Sequence, residues 1–456
     1  MTERYPAPCI PDALTLGTLF APHLAEVCRR TEAALEACAY RDLIVHSGTQ
    51  RPVFQDDRTY PFEVNAAFKV WVPLSDVPDC FIHFIPGRRP RLLLHQPTDY
   101  WYKPAPRPQA YWTEAFDIVP CADLRAARAA LPGDLSHTAY LGEDSGGLAG
   151  ASGLTLNPPR LIRHLDYPRA WKSPYELACL RAANRLGADG HRAAAQAFAA
   201  GGAEFDIEMA FLAACRQREQ ELPYNPIVAL NDNGATLHYQ MLEKDPPRAH
   251  RSLLIDAGAE FAGYASDITR TYAATPGEFA DLVQAMDRLQ QGLCTRVAAG
   301  IDWREIHRLA HERVAEVLRA ADLITCSAET AVASGVTRVF LPHGIGHLLG
   351  LEVHDAGGLM RAPDGGDIDP PEDHPHLRLL RTLEPGFVVT MEPGIYFIEP
   401  LLAAARADAR APLIRWTHLE ALRPYGGIRI EDDLAVTATG AENLTRDAFA
   451  LAGTAQ

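Results

Sequence analysis

The chain lacks three things that would each have pointed elsewhere. It has no run approaching eighteen consecutive apolar residues, so no membrane span is expected. It has no pair of cysteines at metal-site spacing; its nine cysteines are scattered singly. An odd, dispersed set fits reduced thiols in the cytosol better than a disulfide framework. It also has no surplus of positive charge: 43 Lys and Arg face 58 Asp and Glu, a net charge of −15. Phosphate binding needs a basic footprint, so nucleic acid is not expected as a partner. The opening stretch, MTERYPAPCIPDALTLGTLFAPHL, shows no basic segment followed by a long apolar one. It does not read as a signal peptide, and a cytoplasmic protein is expected. No short-period repeat is present.

What remains is a chain of 456 residues, 47% hydrophobic and 22% charged, long enough for two or three domains with large cores. Residues from about 12 to 40 read as a helix. DLIVHSG, FKVWVPL, CFIHFI, RLLLHQ and TAYLGE read as strands, with PCADLRAARAAL as a helix among them. Alternating strands and helices predict an α/β domain over residues 1–165. The boundary falls between Arg163 and Ser173. There Ser173, Pro174 and Glu176 spell an N-cap, a first-turn proline and a capping box that open a long helix. FDIEMAFLAACRQREQ follows as a second helix. NPIVALN, TLHYQM, HRSLLIDAG and GYASDITRTYAAT then read as strands. Helices return at GEFADLVQAMDRLQQGLCTRVAAG and IDWREIHRLAHERVAEVLRAA, and the last hundred residues alternate strands with loops. Helices, then antiparallel strands, then the same again predict an α+β domain over residues 166–456. RAPDGGDIDPPEDHP, 361–375, reads as a solvated surface loop; its acids do not match an EF-hand.

Five metal-type ligands lie in order along that second domain. They are Asp256 in SLLIDAGAE, Asp267 in YASDITRTY, His347 in LPHGIGHLLGLEVHD, Glu392 in VVTMEPGIYF and Glu431 in GGIRIEDD. Four carboxylates and one imidazole suit two hard-to-borderline divalent cations. Such a pair generates a nucleophile from water and stabilises a developing oxyanion. Asp256 and Asp267 are eleven apart, with Gly258 and Gly263 between; two antiparallel strands joined by a turn would bring them to one patch. Read singly, each ligand has a plainer explanation. The aspartates could be turn residues, the histidines satisfied polar groups, and Glu431 a partner of Arg429. Arg429 could also pair with Asp432 or Asp433, and Arg378 could be a solvated cation.

Longer phrases carry a family resemblance over nearly the whole chain. QDDRTYPFEVN, FKVWVP and PTDYWYKP are similar to the N-terminal domain of bacterial Xaa-Pro dipeptidases (prolidases), metallopeptidases of the pita-bread fold. LHYQML, LIDAGAEFAGYASDITRTY, FLPHGIGHLLGLEVHD, TMEPGIYFIEPLL and PYGGIRIEDDLAVT resemble their catalytic domain. The organophosphorus acid anhydrolases are near relatives in the same subgroup. The resemblance implies an α/β N-terminal domain followed by an α+β pita-bread catalytic domain. It places Asp256, Asp267, His347, Glu392 and Glu431 on five dinuclear metal ligands, with Asp267 and Glu431 bridging. It implies two Mn2+ ions, with Co2+ or Zn2+ as alternatives, and a bridging hydroxide that attacks the Xaa-Pro bond. Glu392 would shuttle the proton, and His354 and Arg429 would meet the substrate and the tetrahedral intermediate. Tyr224, His238 and His343 fall on substrate-pocket positions, and Arg378 on the position that binds the C-terminal carboxylate. Asp57 and Trp101 fall on N-terminal-domain positions near the pocket of a partner subunit, which implies a homodimer. The implied substrate is a dipeptide ending in proline, with phosphotriesters as a side activity.

Aminopeptidase P shares the ligand set and stays open as a rival. The large N-terminal domain speaks against a minimal methionine aminopeptidase. A metal-free binding module or a creatine-type hydrolase on the same scaffold would have lost ligands, and all five are present here.

Overall fold

A computed structural model describes residues 11–101, 103, 106–143, 147 and 153–453. The first domain runs α1 (Ala13–Cys38), β1 (Asp42–His46), α2 (Ala66–Lys69), β2 (Phe81–Phe84), β3 (Arg91–His95), β4 (Asp117–Cys121), α3 (Leu124–Ala130), β5 (Thr138–Leu141), β6 (Leu154–Leu156) and α4 (Pro159–Asp166). Its six strands form one mixed sheet in the order β4-β3-β2-β1-β5-β6. β1 is central, antiparallel to β2 and parallel to β5. The alternation of side chains along a strand divides the sheet between two cores. Leu43 and Val45 join Leu16, Phe20 and Leu35 of α1, while Ile44 joins Ala127 of α3 on the opposite face.

One expected strand is not there. In FKVWVPL, Phe68 and Lys69 end the short helix α2, which Asn65 caps by accepting the Phe68 N–H at 3.1 Å. The buried residues are Phe68, Trp71 and Val72. That is helical spacing, and the cap decided how the apolar run was used.

The long helix that follows begins where the capping box predicts. α5 (Pro174–Ala199) opens with Ser173 accepting the Glu176 N–H and Glu176 accepting the Ser173 N–H. α6 (Glu204–Cys215) packs along it, and β7 (Ile227–Leu230), β8 (Ser252–Asp256), β9 (Glu260–Phe261), β10 (Tyr264–Ala265) and β11 (Thr269–Ala273) follow. The pattern then repeats. α7 (Glu278–Cys294), α8 (Trp303–Ala320), α9 (Ala328–Ala333) and α10 (Thr337–Phe340) precede β12 (Val388–Met391) and β13 (Gly394–Tyr396). α11 (Glu399–Arg406) and α12 (Trp416–Leu422) come next. β14 (Gly427–Arg429), β15 (Asp432–Val436), β16 (Ala441–Asn443) and α13 (Leu444–Gly453) close the domain. The strand pairs named here are all antiparallel: β11-β8-β7, β12-β15-β16, β13-β14 and β10-β9. Three helices, α11 to α13, interrupt the final hundred residues where loops were expected.

TLHYQM is also not a strand. Thr236 follows a tight turn at Asn231–Ala235, and Tyr239 is held by its hydroxyl, which donates to Glu204 Oε2 at 2.8 Å. A side-chain anchor takes the place of a strand ladder. The eight described cysteines are all free thiols. Among the described residues, no helix is long and apolar enough to cross a membrane.

Candidate metal centre

One strand end, three gaps between strands and one loop supply the five candidate ligands. Asp256 is the last residue of β8, opposite Thr269 of β11 and Ile227 of β7. Asp267 lies two residues before Thr269, past the β9–β10 hairpin. Gly258 is what lets this turn close: a Cβ there would lie 1.9 Å from the Ser266 carbonyl oxygen. Glu392 lies in the gap between β12 and β13, and Glu431 in the gap between β14 and β15. Because β12 pairs with β15 and β13 with β14, the two gaps face each other. Glu431 is also tied to the other half of the domain, its N–H donating to the Thr269 carbonyl at 3.0 Å. His347 comes on a loop laid against β12, with the Thr390 N–H donating to the His347 carbonyl at 3.0 Å. Gly346 permits that approach: a Cβ there would stand 2.2 Å from the Thr390 carbonyl oxygen.

The five side chains converge on one cavity of about 830 Å³, and His238, His343, His354, Tyr224, Arg378 and Arg429 line it as well. Asp267, His347 and Glu431 each offer a ligand atom within 4.8 Å of the other two. His347 Nε2 is 3.4 Å from Asp267 Oδ2 and 3.7 Å from Glu392 Oε1. Its Nδ1 donates to the Leu348 carbonyl at 3.0 Å, which leaves Nε2 facing the carboxylates. Against the pull of burial, Asp267 and Glu392 raise this imidazole to about 9, so Nε2 carries a proton that a cation would displace. Asp267 is steadied from behind, its backbone N–H donating to Asp433 Oδ2 at 3.0 Å.

The electrostatics of this cluster call for cations. Burial, with Asp267, Glu392 and Asp256 close by, pushes Glu431 far above the usual carboxylate range. Burial also raises Glu392 to about 7, against the opposing pull of His347 and Arg429. Like charges so placed cannot all ionise unless positive charge joins them. Four carboxylates and one imidazole whose Nε2 faces them fit a pair of divalent ions, and oxygen donors dominate the set.

Arg429 has a different partner from those expected. Its Nη2 donates to Asp256 Oδ2 at 2.5 Å. Its Nε donates to Thr269 Oγ1 at 3.2 Å, and that hydroxyl donates to Glu431 Oε2 at 2.7 Å. Arg429 therefore grips Asp256 directly and reaches Glu431 only through Thr269. The strand breaks between Arg429 and Glu431, so the two side chains do not alternate along one strand. Asp432 is taken by Arg270 and Arg446, and Asp433 by Asn184.

Arg429 Nη1 also donates to the Tyr396 hydroxyl at 2.9 Å. That hydroxyl contacts His343 Nε2 at 2.9 Å, while His343 Nδ1 donates to the Gly344 carbonyl. Burial and Arg429 hold His343 down to about 4, so it is neutral and accepts from Tyr396. Tyr224 donates to Asp256 Oδ1 at 2.8 Å, so it is tied to a candidate ligand as well as to the pocket. His354 stacks edge-on to His347, ring centroids 4.4 Å apart. The protein around it, with His347 and Arg378, lowers its pKa to about 4. Arg378 is exposed on the cavity wall, between buried Leu377 and Leu379.

Asp57 and Trp101 do not join the cavity of their own chain. Asp57 is exposed in a turn closed by the Pro52–Thr59 bridge. Trp101 is 77% exposed and packs on Tyr100. The residues missed by sequence are the holders: Thr269, Tyr396, Thr390 and Asp433. Two of them stand two residues beyond a candidate ligand, Thr269 after Asp267 and Asp433 after Glu431. Both ligands lie in strand breaks, so strand alternation gave no signal for either holder.

Comparison with known proteins agrees with this architecture. Residues 18–167 match the model for the Xaa-Pro dipeptidase N-terminal domain, and residues 178–438 match metallopeptidase family M24. A protein named Xaa-Pro dipeptidase from Stenotrophomonas maltophilia (strain K279a) is 47% identical over 437 residues, 96% of this chain and 98% of that one. Its namesake from Xanthomonas euvesicatoria pv. vesicatoria (strain 85-10) is 45% identical over 439 residues, 96% of this chain and 99% of that one. Among solved structures, proline aminopeptidase P II from Yersinia pestis superposes with a TM-score of 0.68 at 26% identity, covering 94% of this chain and 99% of the other. Aminopeptidase P from E. coli with the inhibitor Pro-Leu gives 0.69 at 22% identity over 94% and 99%, a likeness of fold. The chain belongs to metallopeptidase family M24, with the α/β N-terminal domain of the Xaa-Pro dipeptidases joined to the pita-bread catalytic domain.

Proposed function

We propose that the chain hydrolyses dipeptides whose second residue is proline, using two divalent ions held by Asp256, Asp267, His347, Glu392 and Glu431. The observation that carries this reading is the convergence of those five side chains and Arg378 on one cavity. The 47% identical relative named Xaa-Pro dipeptidase supports it. When bound, the two ions supply a nucleophile from water at neutral pH and draw electron density from the scissile carbonyl.

The chain's own residues do the rest. Arg378 faces the cavity and pairs with no carboxylate among the described residues. It binds the free carboxylate of the proline, and so measures the length of the substrate. Glu392 takes the proton from the attacking water and hands it to the departing proline nitrogen. His354 reaches the developing oxyanion from beside His347, a contact of the kind worth roughly 10²–10³ in rate. Arg429 and Tyr224 hold Asp256 in place. His238 and His343 shape the pocket around the substrate. Oxygen-rich ligands favour Mn2+, with Co2+ and Zn2+ as substitutes. Phosphotriester cleavage is a side reaction of the same activated water.

Aminopeptidase P activity is the second reading, favoured by the likeness in fold to enzymes of that name. The deciding experiment takes metal-stripped protein, with and without added Mn2+, and offers Gly-Pro, Leu-Pro and Gly-Pro-Ala. Proline release from the two dipeptides alone, dependent on Mn2+, is expected. Cleavage of the tripeptide would move the assignment to aminopeptidase P, and metal-independent turnover would overturn the role of the five ligands. Asp57 and Trp101 serve a neighbour's cavity only in a homodimer; a single-chain mass in sedimentation of the same preparation would remove that role.

A further inference from the structure

A second group of potential ligands lies outside the carboxylate cluster. His307 and His311 are four residues apart on α8, so they share one face of the helix. They are only 3% and 2% exposed. His374, from the Pro- and Asp-rich segment, closes over them. Its ring lies 4.4 Å from that of His307 and 4.7 Å from that of His311, centroid to centroid. The three residues each offer a nitrogen within 4.8 Å of the other two.

The hydrogen bonds around this group leave nitrogen lone pairs over. His311 Nδ1 contacts Thr337 Oγ1 at 2.9 Å, while His311 Nε2 is buried with no partner. His307 Nδ1 is buried without a partner too. His374 Nε2 lies 3.5 Å from Asp373 Oδ2, which turns its Nδ1 toward His307 Nε2, 2.9 Å away. That is a hydrogen bond, so the two rings share a proton which an ion would displace, moving the nitrogens to the roughly 3.3 Å expected on one tetrahedral zinc ion. Buried polar atoms are normally satisfied, so the orphaned His311 Nε2 beside two further imidazoles needs a reason.

We propose that His307, His311 and His374 form a separate metal site for a borderline divalent cation of the zinc class. Three imidazoles suit that class, whereas the carboxylate-rich centre suits Mn2+, so one chain would sort two kinds of ion by donor chemistry. Thr337 is placed to accept the outward N–H of His311, which leaves its inward lone pair for the ion, and the Asp373 carboxylate stands 3.5 Å from the outward nitrogen of His374. Burial and the neighbouring histidines hold His307 and His311 down to about 2 and 3, and the neutral form is the one that binds metal. The consequence falls on the catalytic cavity. Pro375, His376, Leu377 and Arg378 line it and directly follow His374. A bound ion would tie this wall to α8 and steady the side chain proposed to bind the substrate carboxylate.

The site is tested on the Mn2+-loaded chain by adding Zn2+ or Co2+, removing free ion, and counting metal per chain. One further equivalent is expected in the wild type, with the visible bands of tetrahedral imidazole-bound Co2+. His374→Ala, a change in an irregular segment, is expected to lose that equivalent and those bands while keeping the Mn2+ pair. His307→Gln serves as the second variant. No further equivalent in the wild type, or one that survives both substitutions, overturns the proposal. Gly-Pro hydrolysis is read in the same samples, so failure at the carboxylate centre is seen separately from failure here.

Discussion

Arg378 is the residue on which substrate length is proposed to turn. It is exposed on the cavity wall, so its contact with a peptide carboxylate is partly screened. A hydrogen bond to a charged group contributes about 1.5–3 kcal/mol. Arg378→Ala is therefore expected to raise KM for Gly-Pro by roughly 10–100-fold with a smaller change in kcat. Unchanged steady-state constants would place the carboxylate elsewhere. Arg429 is a contrasting arginine. It is buried and spends its donors on Asp256, Thr269 and Tyr396. Sequence spacing tied it to Glu431, but the break between β14 and β15 redirected the side chain. Residue identity was legible there and partnership was not.

At the scale of elements, the capping box at the start of α5 shows how much a short phrase can carry. Ser, Pro and Glu at 173, 174 and 176 foretold the helix start, and the helix begins there. The fold then adds contacts no local phrase contains. Ser173 Oγ contacts His23 Nδ1 of α1 at 2.9 Å, and the Tyr264 hydroxyl donates to Glu176 Oε1 at 3.2 Å. Ser173→Ala removes the cap and leaves His23 without this partner. A loss of about 1–2 kcal/mol is expected, read as a lower urea midpoint. A shift near zero would mean that water replaces the hydroxyl. The two missed strands, FKVWVPL and TLHYQM, failed for a matching reason. Apolar and aromatic residues signal burial, but a cap at Asn65 and a hydroxyl anchor at Tyr239 decided the backbone.

At the scale of the whole molecule, His191 reports on the packing of the catalytic domain. It lies on α5 against Phe211 of α6 and Phe449 of α13, and its Nε2 donates to the Ala257 carbonyl at 2.9 Å. Burial, reinforced by Arg270, lowers it from 6.5 to about 3. In the unfolded chain it takes up a proton below pH 6.5; in the folded chain it does not until about pH 3. Its contribution is thus fully present above pH 6.5 and is lost as pH falls toward 3. The slope is at most about 1.4 kcal/mol per pH unit. His191→Gln is expected to flatten the fall in denaturation midpoint between pH 6.5 and 5. An unaltered slope would assign acid sensitivity to other groups.

The sequence by itself determined the two-part organisation, most elements, and the identity and order of the five candidate ligands. Those follow from periodicity, caps and phrases, which are properties of neighbours along the chain. Only the tertiary structure decided which side chains hold the ligands. Asp267 is steadied by Asp433, 166 residues away, and Glu431 by Thr269, 162 residues away. It also decided that His374 meets the histidines of α8, and that Asp57 and Trp101 stand apart from the cavity of their own chain. Such pairings depend on where strands break and which gaps face each other. That is a matter of register between distant segments, and no local pattern encodes it.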